Sequence, residues 1–122
     1  MTRAAPHYSI IIPVLGEADS IQAVIDHIRC LEQQEKAEIL VVDGDPEGKT
    51  LQAIVRQDVH KILSLRGRGR QMNEGAKKAR GEILLFLHAD TFLPTDALSL
   101  IDDALRHPRM VGGAFDLGFR SA

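Results

Sequence analysis

The sequence predicts an α/β domain: a mainly parallel sheet with helices on both faces. Three observations carry that prediction. Short, nearly continuous apolar runs recur along the 122-residue chain, the pattern of strands buried on both faces. Between them lie segments whose apolar residues fall three and four apart, as on the buried face of a helix. Glycine, proline and aspartate gather at the junctions, where the chain must turn.

Taken in order, Tyr8 to Val14 (YSIIIPV) reads as a buried strand ended by Pro13. Beyond Gly16 the period changes: Ile21, Val24, Ile25, Ile28 and Leu31 share one helix face, with Gln22, Asp26, Arg29 and Glu32 opposite. Glu38 to Asp43 (EILVVD) is a second buried strand, followed by a turn of Gly44, Asp45, Pro46 and Gly48. Leu51, Ile54 and Val55 mark a short helix, and Lys61 to Leu65 a third strand. Two glycines within Arg66 to Gly69 make that stretch a loop. Gln71 to Arg80 reads as a helix with Met72, Ala76 and Ala79 inward, stopped by Gly81. Glu82 to Leu87 (EILLFL) is a near-continuous apolar strand. Thr95 is the expected N-cap of a helix carrying Leu98, Ile101 and Leu105, with Pro108 just past its end. Met110 to Phe119 is expected to be a fifth strand, interrupted by Gly112 and Gly113. Strands that alternate with amphipathic helices imply a mainly parallel sheet with helices on each side. Ligands of such sheets bind at the carboxyl ends of the strands, so the loops after Val14, Asp43, Leu65 and Leu87 should share one edge.

Composition bounds the possibilities. A hydrophobic content of 44% with 26% charged residues excludes general disorder. No apolar run approaches the roughly 20 residues of a membrane-spanning helix, and the N-terminus lacks a signal-peptide layout, because the apolar stretch at Ile10 is short and interrupted by Pro13. One cysteine, Cys30, excludes an intrachain disulfide framework and a cysteine-rich metal site; it reads as a semi-buried small hydrophobe. These features lead to an expected cytoplasmic location. The net charge is −2, yet Arg66, Arg68, Arg70, Lys77, Lys78 and Arg80 face only Glu74 across residues 66–80, a local +5 that leaves −7 elsewhere. A basic island in an acidic chain points to a local anionic ligand. It does not point to nucleic acid, because the RGRGR tract is short and has no interleaved aromatics for stacking.

The polar residues that bear on chemistry fall in those four loops. Asp43 ends the second strand, either as a turn residue or with its carboxylate directed into the crevice. Arg68 and Arg70, on a glycine-punctuated loop entering a helix, suit diphosphate oxygens through charge-assisted forks and the helix N–H groups. The alternative for them is a solvated basic surface. Leu87-His88-Ala89-Asp90 places an imidazole and a carboxylate two residues apart just past a strand. That pair suits Mg²⁺ or Mn²⁺ held against a diphosphate; alternatively His88 is a bonded strand-end residue and Asp90 caps a turn. His7, His27, His60 and His107 lack ligand spacing and read as structural or surface residues. The first strand is followed by Leu15-Gly16-Glu17, so neither a dinucleotide fingerprint nor a P-loop is present.

Three segments in order (SIIIPVLGEADSI, EILVVDGDPEGKT and GRGRQMNEGAKKARGEILLFLHADT) resemble family 2 glycosyltransferases of the GT-A fold over roughly Ser9 to Phe115. The resemblance implies a Rossmann-like nucleotide-binding half and transfer of a sugar from a UDP- or GDP-linked donor to an acceptor the sequence does not name. By that resemblance Pro13, Val14 and Glu17 line the base pocket and Asp43 bonds the base. Arg68 or Arg70, with Asn73, positions the nucleotide, while Asp90 matches the last aspartate of the DxD motif and reaches the divalent cation and diphosphate. His88 replaces the motif's first acid, which faces ribose or metal; the likeness is to a branch with a His-Ala-Asp variant. Gly16 stands where relatives commonly carry Asn.

No residue matches the general base of such enzymes, which is expected beyond Ala122 in an acceptor-binding part, and Asp116 is not assigned that role. Residues 1–122 are accordingly expected to form a single truncated nucleotide-sugar-binding domain, prone to self-association, whose complete form has a possible membrane-associated acceptor. A second class of function, a non-catalytic nucleotide-binding or interaction module that kept the fold, is motivated by His88 and Gly16.

Overall fold

The computed structural model describes residues 5–106; the strand expected at 110–119, with His107, Pro108 and Asp116, lies outside them. Four strands, β1 (Tyr8–Val14), β2 (Ala37–Asp43), β3 (His60–Leu63) and β4 (Ile83–Phe86), alternate with helices α1 (Ile21–Ile28), α2 (Lys49–Gln52), α3 (Arg68–Lys78) and α4 (Ala97–Leu105). A 3₁₀ turn at Gln34–Lys36 precedes β2. The sheet order is β3-β2-β1-β4 and every pairing is parallel, as the alternating pattern requires. The chain steps outward from β1 to β3, then returns to the other side of β1 as β4. The β1/β4 boundary is therefore a topological switch point.

Alternation along β1 divides the core. Ile10, Ile12 and Val14 pack with Ile39 and Val41 against Ile21, Val24, Ile25 and Ile28 of α1 and Leu98 and Ile101 of α4. Ile11, Leu40, Val42 and Ile62 face the other way, against Ala76 of α3 and Ala79 just past its end. Helices thus cover both faces. On β4 Leu85 is buried, as is Leu87 just past its end, but Leu84 and Phe86 remain 42% and 41% exposed. The expected all-round burial of this strand is corrected to a one-sided pattern, since α3 lies over β1 and β2.

The inward face of α3 also differs from expectation. Its buried residues are Gln71 and Gly75, while Met72, Ala76 and Ala79 are half-buried. Gly75 lies so close to the sheet that a Cβ there would come within 2.5 Å of Ile11 Cγ2. The helix begins at Arg68, three residues early, because Gly67 alone makes the turn, with φ +139°, and its carbonyl accepts the Gln71 N–H at 2.8 Å. Several smaller expectations are corrected. α1 ends at Ile28, with Leu31 buried in the turn beyond. Val55 is 82% exposed, Cys30 is exposed, and Asp96, not Thr95, is the N-cap of α4.

The amino edge of the sheet is held by polar groups. Glu38, buried at the start of β2, accepts from Ser9 Oγ and the Arg80 N–H, each at 2.6 Å, and Arg80 Nε and His60 Nε2 lie 3.4 Å from its other oxygen. Burial by itself would raise the Glu38 pKa; the Arg80 N–H, the Ser9 hydroxyl and the Arg80 and His60 charges outweigh it and bring it below the ordinary carboxylate value. Arg29, expected on the solvent face of α1, instead turns inward: it donates to the carbonyls of Gln34, Ala37 and Asp58 and pairs with the Asp58 carboxylate.

Candidate functional site

The loops after β1, β2 and β4 and the first turn of α3 meet at the carboxyl edge, around the switch point. What fixes them is a set of buried polar residues. Asp43, fully buried, accepts the Asp45 N–H on Oδ1 at 2.9 Å and the Thr50 and Leu51 N–H groups on Oδ2 at 3.1 and 3.3 Å. Its carboxylate therefore caps the backbone of α2 and does not project into the crevice; the turn alternative is the one the geometry supports. Thr50, also fully buried, extends this link by accepting the Glu17 N–H on Oγ1 at 3.0 Å. The loop after β2 thereby holds the loop after β1. Gly16, at φ +69°, and Glu17 turn the chain into α1, where the Glu17 carbonyl accepts from Ser20 and Ile21.

Gln71 performs the equivalent task for α3. Its Nε2 donates to the carbonyls of Val14 and Val42 at 2.8 and 2.9 Å, and its Oε1 accepts the Gly67 N–H at 3.3 Å. The first turn of α3 is thus fastened to the ends of both β1 and β2. Gly44 lies beneath this bracket, where a Cβ would meet Gln71 Oε1 at 2.7 Å. Gln71 and Thr50 were not singled out from the sequence. A polar residue buried by hydrogen bonding looks, in periodicity, like a surface residue.

The remaining residues occupy this frame as follows. Val14 is buried in the core, so its side chain packs under the edge and does not line it. Pro13 and Glu17 are half-buried beside it. Arg66, Arg68 and Arg70 are exposed around the α3 N-terminus, and Asn73 is exposed farther along the helix. His88 lies two residues past the end of β4: the Leu87 N–H still bonds the Ile11 carbonyl at 2.9 Å, and the Thr91 N–H closes a turn on the His88 carbonyl at 3.1 Å. In the triplet, His88 and Asp90 are exposed while Ala89, only 5% exposed, anchors them to the core.

One contact joins two of these groups across the switch point: Arg68 Nη2 lies 2.9 Å from His88 Nδ1. A guanidinium only donates, so Nδ1 accepts, and the ring proton resides on Nε2. Among the described residues no group of three His, Cys, Asp or Glu could hold a metal ion by itself. A cation at Asp90 would take further ligands from a bound diphosphate, the usual arrangement for Mg²⁺. A concavity of about 900 Å³ at the opposite edge is lined by residues such as Arg29, Glu38, Asp58, His60, Arg80 and Asp102. Three of its acids are already paired, Glu38 with Arg80, Asp58 with Arg29 and Asp102 with His7 and Arg106. Arg66, Arg68 and Arg70, by contrast, are exposed at the carboxyl edge. Among the described residues no helix is long and apolar enough to cross a membrane.

Comparison with known proteins agrees on this architecture. The family model described as Glycosyl transferase family 2 matches residues 9–121. A poly-beta-1,6-N-acetyl-D-glucosamine synthase of Staphylococcus epidermidis is 28% identical over 108 residues, which cover 84% of this chain but 26% of that protein. The chain thus spans about a quarter of that relative's length. Among solved structures, the mannosyltransferase PcManGT of Pyrobaculum calidifontis, in complex with GDP-Man and Mn²⁺, superimposes with a TM-score of 0.72 at 27% identity, over 86% of this chain and 34% of that one. The mannosyl-3-phosphoglycerate synthase of Rubrobacter xylanophilus gives 0.67 at 26% identity, over 84% and 37%.

Proposed function

The chain belongs to glycosyl transferase family 2, and from that premise we propose that it forms the donor-binding part of a glycosyltransferase that uses a UDP- or GDP-linked sugar and a divalent cation. The observation that carries this reading is the Arg68–His88 contact, which brings the basic N-terminus of α3 against the His88-Ala89-Asp90 turn at the switch point. Each of the two elements is held independently, one by Gln71 and the other by Ala89, so the arrangement exists before any ligand arrives.

In the proposed reaction an acceptor hydroxyl attacks the anomeric carbon of the donor. The bond from that carbon to the diphosphate oxygen breaks, and the hydroxyl proton goes to a base. Charge builds on the departing nucleoside diphosphate, and stabilising it is the task of this part of the protein. Arg68 and Arg70 meet the phosphate oxygens, with the N–H groups of the first α3 turn directed the same way. Asp90 holds the cation, whose role when bound is to neutralise the leaving diphosphate. Pro13 and Glu17, beside the loop that Thr50 holds, are assigned to the base side of the crevice, and Asn73 to the flank of α3. Asp43 acts here by shaping the loop and not by touching the base. The Mn²⁺ and GDP-Man bound by the Pyrobaculum mannosyltransferase support this donor class.

The test is calorimetric titration of the full chain with UDP and GDP, with and without Mn²⁺. We expect one nucleotide to bind, with affinity enhanced by the metal, and Asp90→Ala to remove the enhancement. Metal-dependent binding unchanged by Asp90→Ala would refute the role given to Asp90.

A further inference from the structure

We propose that Arg68 is a positioning residue that holds His88 as an N–H donor for a phosphate oxygen of the donor nucleotide, and that Asp90 alone of the His-Ala-Asp triplet meets the cation. The inference rests on the donor-site reading above and assigns roles within it. An imidazole ligates a metal through a lone pair. In the observed geometry the Nδ1 lone pair receives the Arg68 guanidinium at 2.9 Å and Nε2 carries the ring proton, so neither nitrogen offers one. A divalent ion drawn to His88 would also sit beside a fixed positive charge. An anionic oxygen, by contrast, meets two kinds of donor there at once: the His88 Nε2–H and the rest of the Arg68 fork.

The backbone makes this pairing persistent. Arg68 is the first residue of α3, whose start Gln71 ties to β1 and β2. His88 stands one residue past a ladder bond from Leu87 to Ile11, and the buried Ala89 fixes its far side. Two exposed side chains are thus brought together by two anchored elements, which lowers the entropic cost of keeping them in register. Exposure alternates along the triplet, so Asp90 is also presented at the open edge while Ala89 is not.

The test is a double-mutant cycle on the full chain, read as UDP and GDP affinity in the presence of Mn²⁺, together with Mn²⁺ affinity of the nucleotide complex by electron paramagnetic resonance. Arg68→Ala and His88→Ala should each weaken nucleotide binding about tenfold, and the double variant by clearly less than the product of about a hundredfold. His88→Gln, whose amide supplies an acceptor for Arg68 and a donor in place of Nε2–H, should stay within about threefold of the wild type. Mn²⁺ affinity should fall in Asp90→Ala and hold in His88→Ala. Circular dichroism of each variant confirms folding, and His88→Gln tests the proposal even where an alanine variant misfolds. Single losses that multiply, or an equal loss of Mn²⁺ affinity in His88→Ala and Asp90→Ala, would overturn the pairing while leaving the donor site intact. A wild-type chain that binds neither nucleotide would overturn both.

Discussion

Two glycines of α3 make opposite predictions when each is replaced by alanine. In an exposed helix interior, Gly→Ala gains about 1 kcal/mol of stability from propensity. At Gly75 the added methyl would stand 2.5 Å from Ile11 Cγ2 and 3.2 Å from Val42 Cγ2. Neither neighbour can yield easily: both are β-branched, fully buried and on strands with partners on both sides. The helix must instead lift by about 1 Å, and overpacking of this kind costs about 1–3 kcal/mol. With two contacts to relieve, the upper part of that range applies, and the net effect is a loss of about 1–2 kcal/mol. That corresponds to a fall in Tm of several degrees, at about 4 °C per kcal/mol for a domain of this size. Gly69 lies in the same helix with nothing within 4 Å of its would-be Cβ, and its φ is not positive. Gly69→Ala should therefore gain about 0.5 kcal/mol. Urea denaturation with unchanged slope reads both. A Gly75→Ala variant as stable as the wild type would show that α3 does not depend on this close approach, and the argument from Ile11 would fail. A lift of α3 also carries Arg68 with it, so nucleotide affinity should decline in Gly75→Ala together with stability.

Two further predictions follow from the buried carboxylates. Because the folded pKa of Glu38 lies below its ordinary value, the stability it contributes is complete above about pH 4.5 and is lost as pH falls through the folded value. Glu38→Gln should lower Tm at neutral pH, and the gap to the wild type should close as pH falls below about 4.5; parallel Tm-against-pH curves would refute the assignment. Asp43→Asn replaces one acceptor oxygen with a donor facing backbone N–H groups of Asp45 or of Thr50 and Leu51. It should cost about 2 kcal/mol by thermal or urea unfolding; a fully stable Asp43→Asn with lost nucleotide affinity would return Asp43 to the base-contact role.

The succession of strands and helices and the parallel sheet were legible because both rest on apolar burial, which leaves a period in the sequence. The positions that were misread share a different physics. Gln71 and Arg29 are held inward by donating to backbone carbonyls, a gain that no hydropathy pattern registers, and Gly75 packs inward by having no side chain at all. The inward face of α3 was accordingly placed on Met72, next to the true one. Asp43 was found at the right strand end, but which N–H groups it would meet depends on the path of the loop to Thr50 and Leu51. The Arg68–His88 contact spans twenty residues and requires β4 to return beside β1, so the sequence could name both residues and not join them. The same distinction locates the site. Asp43, Thr50 and Gln71 are accounted for by the backbone groups they satisfy. The side chains of Arg68, Arg70 and His88 make no hydrogen bond to a backbone group among the described residues, yet they sit at one edge on anchored elements. Exposed cationic and imidazole groups that are held in place without holding the fold together are the groups that the proposed function assigns to the donor diphosphate.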